Sequence, residues 1–170
     1  MLSRILSRKT CAACKFCCSF RRQSLWETPL FPPEVAEKMG RPNEYGVVGK
    51  FAATCDGDAC RLVLENDYRT GDPEEEVPCT FLDPQKGCIL KSGDKPIDCS
   101  IWPLRIMDKD GVLVIALTPT CPSIDATPRP ELIELLQNGL AQTIFEYAEK
   151  HPYIVKEYRE GFAILGRRIP

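Results

Sequence analysis

The sequence predicts an α+β protein: an irregular cysteine-rich metal-binding core with two short antiparallel hairpins and two C-terminal helices. Three observations carry that expectation. Four cysteines fall within eight residues at Cys11-Ala-Ala-Cys14-Lys-Phe-Cys17-Cys18. Two pairs of β-prone runs are each joined by an aspartate- and glycine-bearing turn, and from residue 127 onward the apolar residues take up helical spacing.

Taken in order, the first elements are set by proline. Pro29, Pro32 and Pro33 follow the cysteine cluster and Trp26, a density that stops a helix and gives an extended crossing. A short helix is expected over Pro33 to Met39, with proline in its first turn and Gly40 closing it. Residues 47–54 and 61–65 read as strands around Asp56-Gly-Asp-Ala59, because an aspartate–glycine pair between β-prone runs is a hairpin signal. Residues 66–102 read as irregular. Turn chemistry recurs there at Gly71-Asp-Pro, Asp83-Pro and Ser92-Gly, and so few apolar residues cannot order a loop by burial. Metal cross-links are expected to supply the constraint.

A second hairpin runs from residues 103–107 through Asp108-Lys-Asp-Gly111 into residues 112–117, and the two hairpins are expected to form one small sheet. After Thr127-Pro128, Leu132, Leu136, Leu140, Ile144 and Tyr147/Ala148 make an apolar stripe, with Glu134, Gln137, Gln142 and Glu146 off it. His151-Pro152 interrupts that helix. A second helix is expected over 154–165, with Gly166 near its end. The chain is thereby divided into a cysteine-cluster metal-binding region, 1–126, and a helical packing region of the same domain, 127–170.

At 170 residues the chain is long enough to bury a core unaided. Its 22 Lys and Arg against 24 Asp and Glu, a net charge of −2, argue against a nucleic-acid partner. No window reaches the roughly 18 consecutive apolar residues of a membrane-spanning helix, and Met1 to Lys9 is too short and too charged for a signal peptide. A cytoplasmic location is therefore expected. Thiols stay reduced there, so ten cysteines favour metal over a disulfide framework. The expected partners are metal ions, with no nucleic acid and no membrane; a protein partner is not legible.

Thiolates are soft ligands that select zinc, copper(I) or iron–sulfur clusters. Cys11 and Cys14, in a turn or at a helical start, can direct both sulfurs to one point, and Cys14 to Cys17 repeats the step. Cys17 and Cys18 differ, because adjacent side chains leave the backbone in divergent directions and do not readily converge on one ion. That favours a polynuclear centre or two metal sites sharing the segment. Cys79, Cys88, Cys99 and Cys121 supply further donors, and eight thiolates match two four-sulfur sites or one larger cluster. An iron–sulfur cluster is preferred over zinc because of the adjacent pair and the excess over four thiols.

These residues resemble the cysteine-cluster family of zinc- or iron-chelating proteins with the C-x2-C-x2-C-C signature. The family pattern continues in this chain as Cys79-Thr-Phe-Leu82, Gly87-Cys88-Ile-Leu90, Lys95-Pro96, Cys99-Ser-Ile-Trp-Pro103 and Cys121-Pro122. The match spans residues 11–122. Lys15 stands where a glycine is common, Leu90 for a tyrosine, and Lys95 and Ser100 for arginines; no sulfur is lost. The resemblance implies metal chelation, and the family is similar to the cysteine-rich part of flagellin lysine methylases, for which an iron–sulfur centre is expected. A structural zinc module serving interactions, or a cluster-dependent methyl- or electron-transfer enzyme, are the rival functions.

Cys55 and Cys60 lie outside the pattern and flank the first hairpin turn, where they could face each other across the strands. His151 is expected to complement a helix end rather than bind metal. The acidic residues at 56–58, 67 and 72–76 lack calcium-loop spacing and read as a solvated face, as do the lysines and arginines of Met1 to Arg22. No phosphate loop, dinucleotide fingerprint or nucleophile turn is present. Trp102, Phe16 and Phe20 are the apolar residues expected to wall the centre from water.

Overall fold

Short helices and short strands alternate through the computed structural model, which describes residue 2, residues 8–122, residue 124 and residues 130–168. The chain forms two units, Cys11–Cys99, and Met1–Thr10 together with Ser100–Pro170. The 104–117 hairpin belongs to the same unit as the C-terminal helices.

The unit Cys11–Cys99 is built on helix α1 (Arg8–Cys14), strands β1 (Ser19–Arg21) and β2 (Leu30–Phe31), helix α2 (Pro33–Met39), strands β3 (Phe51–Ala53), β4 (Cys60–Leu62), β5 (Glu76–Pro78), β6 (Leu82–Asp83) and β7 (Gly87–Cys88), and the start of α3 (Ile97–Ile101). Helix α2 has the expected bounds: Pro33 opens it and the Gly40 N–H donates to Ala36 at 2.8 Å to close it. The first hairpin also forms, with Gly57 at φ +74 in its turn and Ala53 opposite Cys60, and β2 joins on the other side of β4.

The stretch expected to be irregular is tied by pairing. Strand β5 pairs antiparallel with β1, Phe20 opposite Val77, and β6 pairs with β7, Leu82 opposite Cys88. Arg21 lies 3.4 Å from Glu74 and 3.1 Å from Glu76, and Arg22 lies 3.3 Å from Glu75. The arginines and the acidic run expected to be merely solvated therefore face each other across β1 and β5. Such surface pairs contribute only about 0–1 kcal/mol each. The larger stabilisation is apolar: Phe20, Phe31, Leu62, Leu64, Val77 and Phe81 are buried together, and each fully buried large side chain contributes roughly 1.5–3 kcal/mol.

In the other unit, β8 (Leu104–Lys109) and β9 (Val112–Leu117) form the second expected hairpin, turning through Asp110 and Gly111. The two hairpins do not share a sheet: β3 and β4 lie with β2, whereas β8 and β9 are central in a four-stranded sheet. Helices α4 (Pro130–Leu135) and α5 (Ala141–Lys150) are joined by a π-helical turn over Leu136–Leu140, where Gly139 takes φ +104. Leu132, Leu136, Leu140, Ile144 and Ala148 are all buried, so the apolar stripe is the packed face, and α5 packs on β8. The proposed start at Thr127-Pro128 lies outside the described residues.

The helix expected over 154–165 is not there. Residues 156–157 form β10, parallel to β8, and β11 (Ala163–Arg167) lies antiparallel to β9, with Gly166 in an irregularity opposite Ile115. The hairpin β8–β9 presents two open edges whose unpaired N–H and C=O groups are satisfied by these strands, and Gly161 at φ +90 turns the chain between them. That pairing outweighs local propensity. Among the described residues no helix is long and apolar enough to cross a membrane.

Candidate metal centre

The clustered cysteines begin on α1, one helical turn apart, so Cys11 and Cys14 lie on the same side of that helix. Both are exposed. The helix closes when the Lys15 N–H donates to the Cys11 carbonyl at 2.9 Å. Lys15 then takes φ +58, in the left-handed region. A residue with a Cβ pays about 1–2 kcal/mol for that conformation. The Lys15 ammonium reaches the Pro84 carbonyl. A 3-10 turn over Phe16–Cys18 follows, held by Cys18 N–H donating to Lys15 at 2.9 Å.

Two later segments meet this turn. The Cys79 N–H donates to the Cys18 carbonyl at 2.7 Å, and the Leu82 N–H donates to Cys79 at 2.9 Å, which leads the chain into β6 and so to Cys88 on β7. Cys17, Cys18, Cys79 and Cys88 are all half-buried, and Cys79 and Cys88 pack against the core that contains Phe20.

The thiols act on one another. A hydrogen bond with the Cys18 thiol, then burial, then the charge of Cys18 hold the Cys17 thiol protonated far above the usual range, while the Lys95 ammonium acts the other way. Burial pushes the Cys79 thiol up to about 12; the Phe81 backbone N–H opposes this, and charge on Cys88 and Cys17 adds to it. Cys79 keeps some surface, but its sulfur lies under enough protein for burial to dominate. A bound cation would reverse these shifts, since metal binding and thiol deprotonation are coupled.

Of the eight expected ligands, Cys18 acts on Cys17, and Cys88 and Cys17 act on Cys79, while the helix bearing Cys11 and Cys14 abuts β7 through Ala12 and Gly87. Cys99 stands on α3, and Cys121 belongs to the other unit. The donors are chemically suited to a thiophilic metal. Among the described residues, however, no three Cys, His, Asp or Glu side chains stand in an arrangement that could hold an ion.

Cys55 and Cys60 do not oppose each other: Cys60 lies across from Ala53, and Cys55 is exposed in the turn. The His151 ring lies tilted by 32° against Tyr147 with centroids 4.3 Å apart and meets Tyr153 edge-on at 5.6 Å. Trp102 lies under the Arg105 guanidinium at 4.5 Å. A surface depression lined by Asp108, Lys109, Asp110, Lys156, Glu157 and Tyr158 contains no cysteine. Lys95, whose charge acts on Cys17, and Gly87, which admits α1, were not legible as site residues; Lys95 stood out only as a departure from an arginine. No protein-family model, no curated protein and no solved structure matches the chain.

Proposed function

We propose that this is a cysteine-rich metal-chelating protein that binds an iron–sulfur or other polynuclear centre. Cys17, Cys18, Cys79 and Cys88 are its inner donors, and Cys11, Cys14 and Cys99 are further thiols of the same unit. The observation that supports the reading is the backbone bond from the Cys79 N–H to the Cys18 carbonyl at 2.7 Å, which joins the Cys17–Cys18 turn to the segment that leads into the strand pair carrying Cys88. Half-buried thiols on neighbouring segments have a common counter-charge in a soft cation once they are deprotonated. Loading then includes rotation of these side chains into a closed shell. A cytoplasmic location belongs to the same reading, because reduced thiols persist there.

A single zinc ion in a structural module is the second reading. It is favoured by the count, since Cys17, Cys18, Cys79 and Cys88, all half-buried, equal in number one tetrahedral shell. One experiment separates the two. Full-length protein purified without oxygen is analysed for iron, sulfide and zinc, with visible absorption and electron paramagnetic resonance. Iron and sulfide with visible charge-transfer bands support the cluster; stoichiometric zinc in colourless protein supports the structural site. Protein that takes up neither when both are supplied under reducing conditions rejects both.

A further inference from the structure

The pairing of β1 with β5 runs on past the strand ends to two cysteines. Ser19 stands opposite Pro78, Phe20 opposite Val77 and Arg21 opposite Glu76, so one further step sets Cys18 opposite Cys79. The hydrogen bonds alternate as that register requires: the Arg22 N–H donates to the Glu75 carbonyl at 3.1 Å at one end, and the Cys79 N–H to the Cys18 carbonyl at 2.7 Å at the other. Cys18 and Cys79 are thus a directly opposed, hydrogen-bonded pair. Opposed residues of an antiparallel pair put their Cβ atoms on one face, shared with the residues two positions along. Here those are Phe20 and Val77, both buried in the core against which Cys79 packs. Cα atoms in such a pair lie about 5.5 Å apart, within the roughly 4.4–6.8 Å that a disulfide spans. The second bond of the pair is diverted, since the Cys18 N–H donates to Lys15 and the Cys79 carbonyl accepts from Leu82. A pair held on one side only has room to close. Both thiols are half-buried, within reach of a small solute.

We propose that Cys18 and Cys79 are a redox-active dithiol that exchanges with low-molecular-weight disulfides of the glutathione class. One of the two sulfurs, as its thiolate, attacks the small disulfide: a new S–S bond forms, the old one breaks, and one small thiolate leaves and takes up a proton. The second cysteine gives up its proton, attacks the protein sulfur of the mixed disulfide and expels the second small thiol. Two electrons pass from the protein sulfurs to the small disulfide, and the two small thiols carry away the two protons. Opposed Cβ atoms stand about 4.5–5.5 Å apart, whereas a disulfide draws them to about 3.5–4.5 Å. Closure therefore strains the strand ends, and a strained disulfide is more oxidising and more readily reduced than a relaxed one. The exchange is accordingly reversible. The pairing uses two donors of the chelating reading but does not rest on it, because it needs no metal.

The test incubates the reduced full-length protein with oxidised glutathione, with and without EDTA, alkylates the remaining thiols and digests with trypsin without reduction. Trypsin leaves Cys17 and Cys18 in residues 16–21, Cys79 in 70–86 and Cys88 in 87–91, so mass spectrometry separates the partners. The expected product is 16–21 joined to 70–86, with fragmentation assigning the bond to Cys18, and it is expected to disappear when reduced glutathione is added. C18S is expected to lose the link and C17S to keep it. Where a variant does not fold, fragmentation of the wild-type product makes the same assignment. A link through Cys17, a link from 70–86 to 87–91 in its place, or no link in either condition overturns the proposal. So does a link formed equally well in guanidinium, where the register is gone. None of these outcomes bears on iron, sulfide or zinc content, which tests chelation separately.

Discussion

Gly87 lies so close to Ala12 that a methyl group on the glycine would stand 2.8 Å from the alanine Cβ and 3.1 Å from its Cα. The glycine also has φ +77. One residue without a side chain therefore lets the helix bearing Cys11 and Cys14 rest on the strand bearing Cys88. Gly87→Ala is expected to lower stability by about 2–3 kcal/mol, from backbone strain and overpacking together. Adding Ala12→Gly is expected to restore part of that loss. Urea unfolding measures both, and an unchanged midpoint for Gly87→Ala would show that α1 does not depend on this contact.

Lys15 occupies the left-handed region at φ +58 without the freedom of a glycine. Lys15→Gly is expected to raise stability by about 1 kcal/mol through relief of that strain. Lys15→Ala keeps the strain and loses the exposed bond to Pro84, so it is expected to give no gain. Equal midpoints for the two variants in chemical unfolding would contradict the account.

Glu75 has its carboxyl lowered from the usual 4.5 to about 2, first by the Arg69 N–H it accepts, with the Thr70 hydroxyl and N–H and the Arg22 guanidinium adding to this. Because the folded value is the depressed one, the stabilisation is present above about pH 4.5 and is lost as pH falls toward 2. Glu75→Gln is expected to be less stable than wild type at pH 6, with the difference shrinking below pH 4.5. Thermal midpoints of both proteins across that range check it; a gap independent of pH would be inconsistent with titration at this residue.

Gly49 faces two aromatic rings, and a Cβ there would stand 2.6 Å from Phe51 and 2.7 Å from Phe81. Those rings stack with centroids 6.4 Å apart, and Phe31 meets Phe51 edge-on at 5.0 Å. Gly49→Ala is expected to displace this trio and cost about 1–3 kcal/mol. Near-ultraviolet circular dichroism and unfolding report it, and wild-type behaviour in both would refute the close packing.

Local signals were readable residue by residue. Helix α2 keeps its expected ends because Pro33 and Gly40 act through their own backbone restrictions, and the turns at Gly57 and Gly111 fall where aspartate and glycine sit. The buried stripe from Leu132 to Ala148 was legible because helical period alone puts those side chains on one face. Among the candidate ligands, the helical side shared by Cys11 and Cys14 was likewise a matter of spacing.

Partners distant in the chain were decided only by the tertiary structure. Nothing within residues 154–165 states that β8 and β9 have open edges to be filled, so a segment of ambiguous propensity became strand. The hairpins went to different sheets for the same reason, since pairing is a property of two segments and not of either. The approach of the Cys79 backbone to Cys18 depends on the β1–β5 register, the pairing of Cys88 with Leu82 on the β6–β7 turn, and the docking of α1 on a missing Cβ at Gly87. Residue chemistry and short-range backbone geometry are written in the sequence; which segments meet is set by long-range hydrogen-bond pairing and steric fit, which act only once the chain has folded.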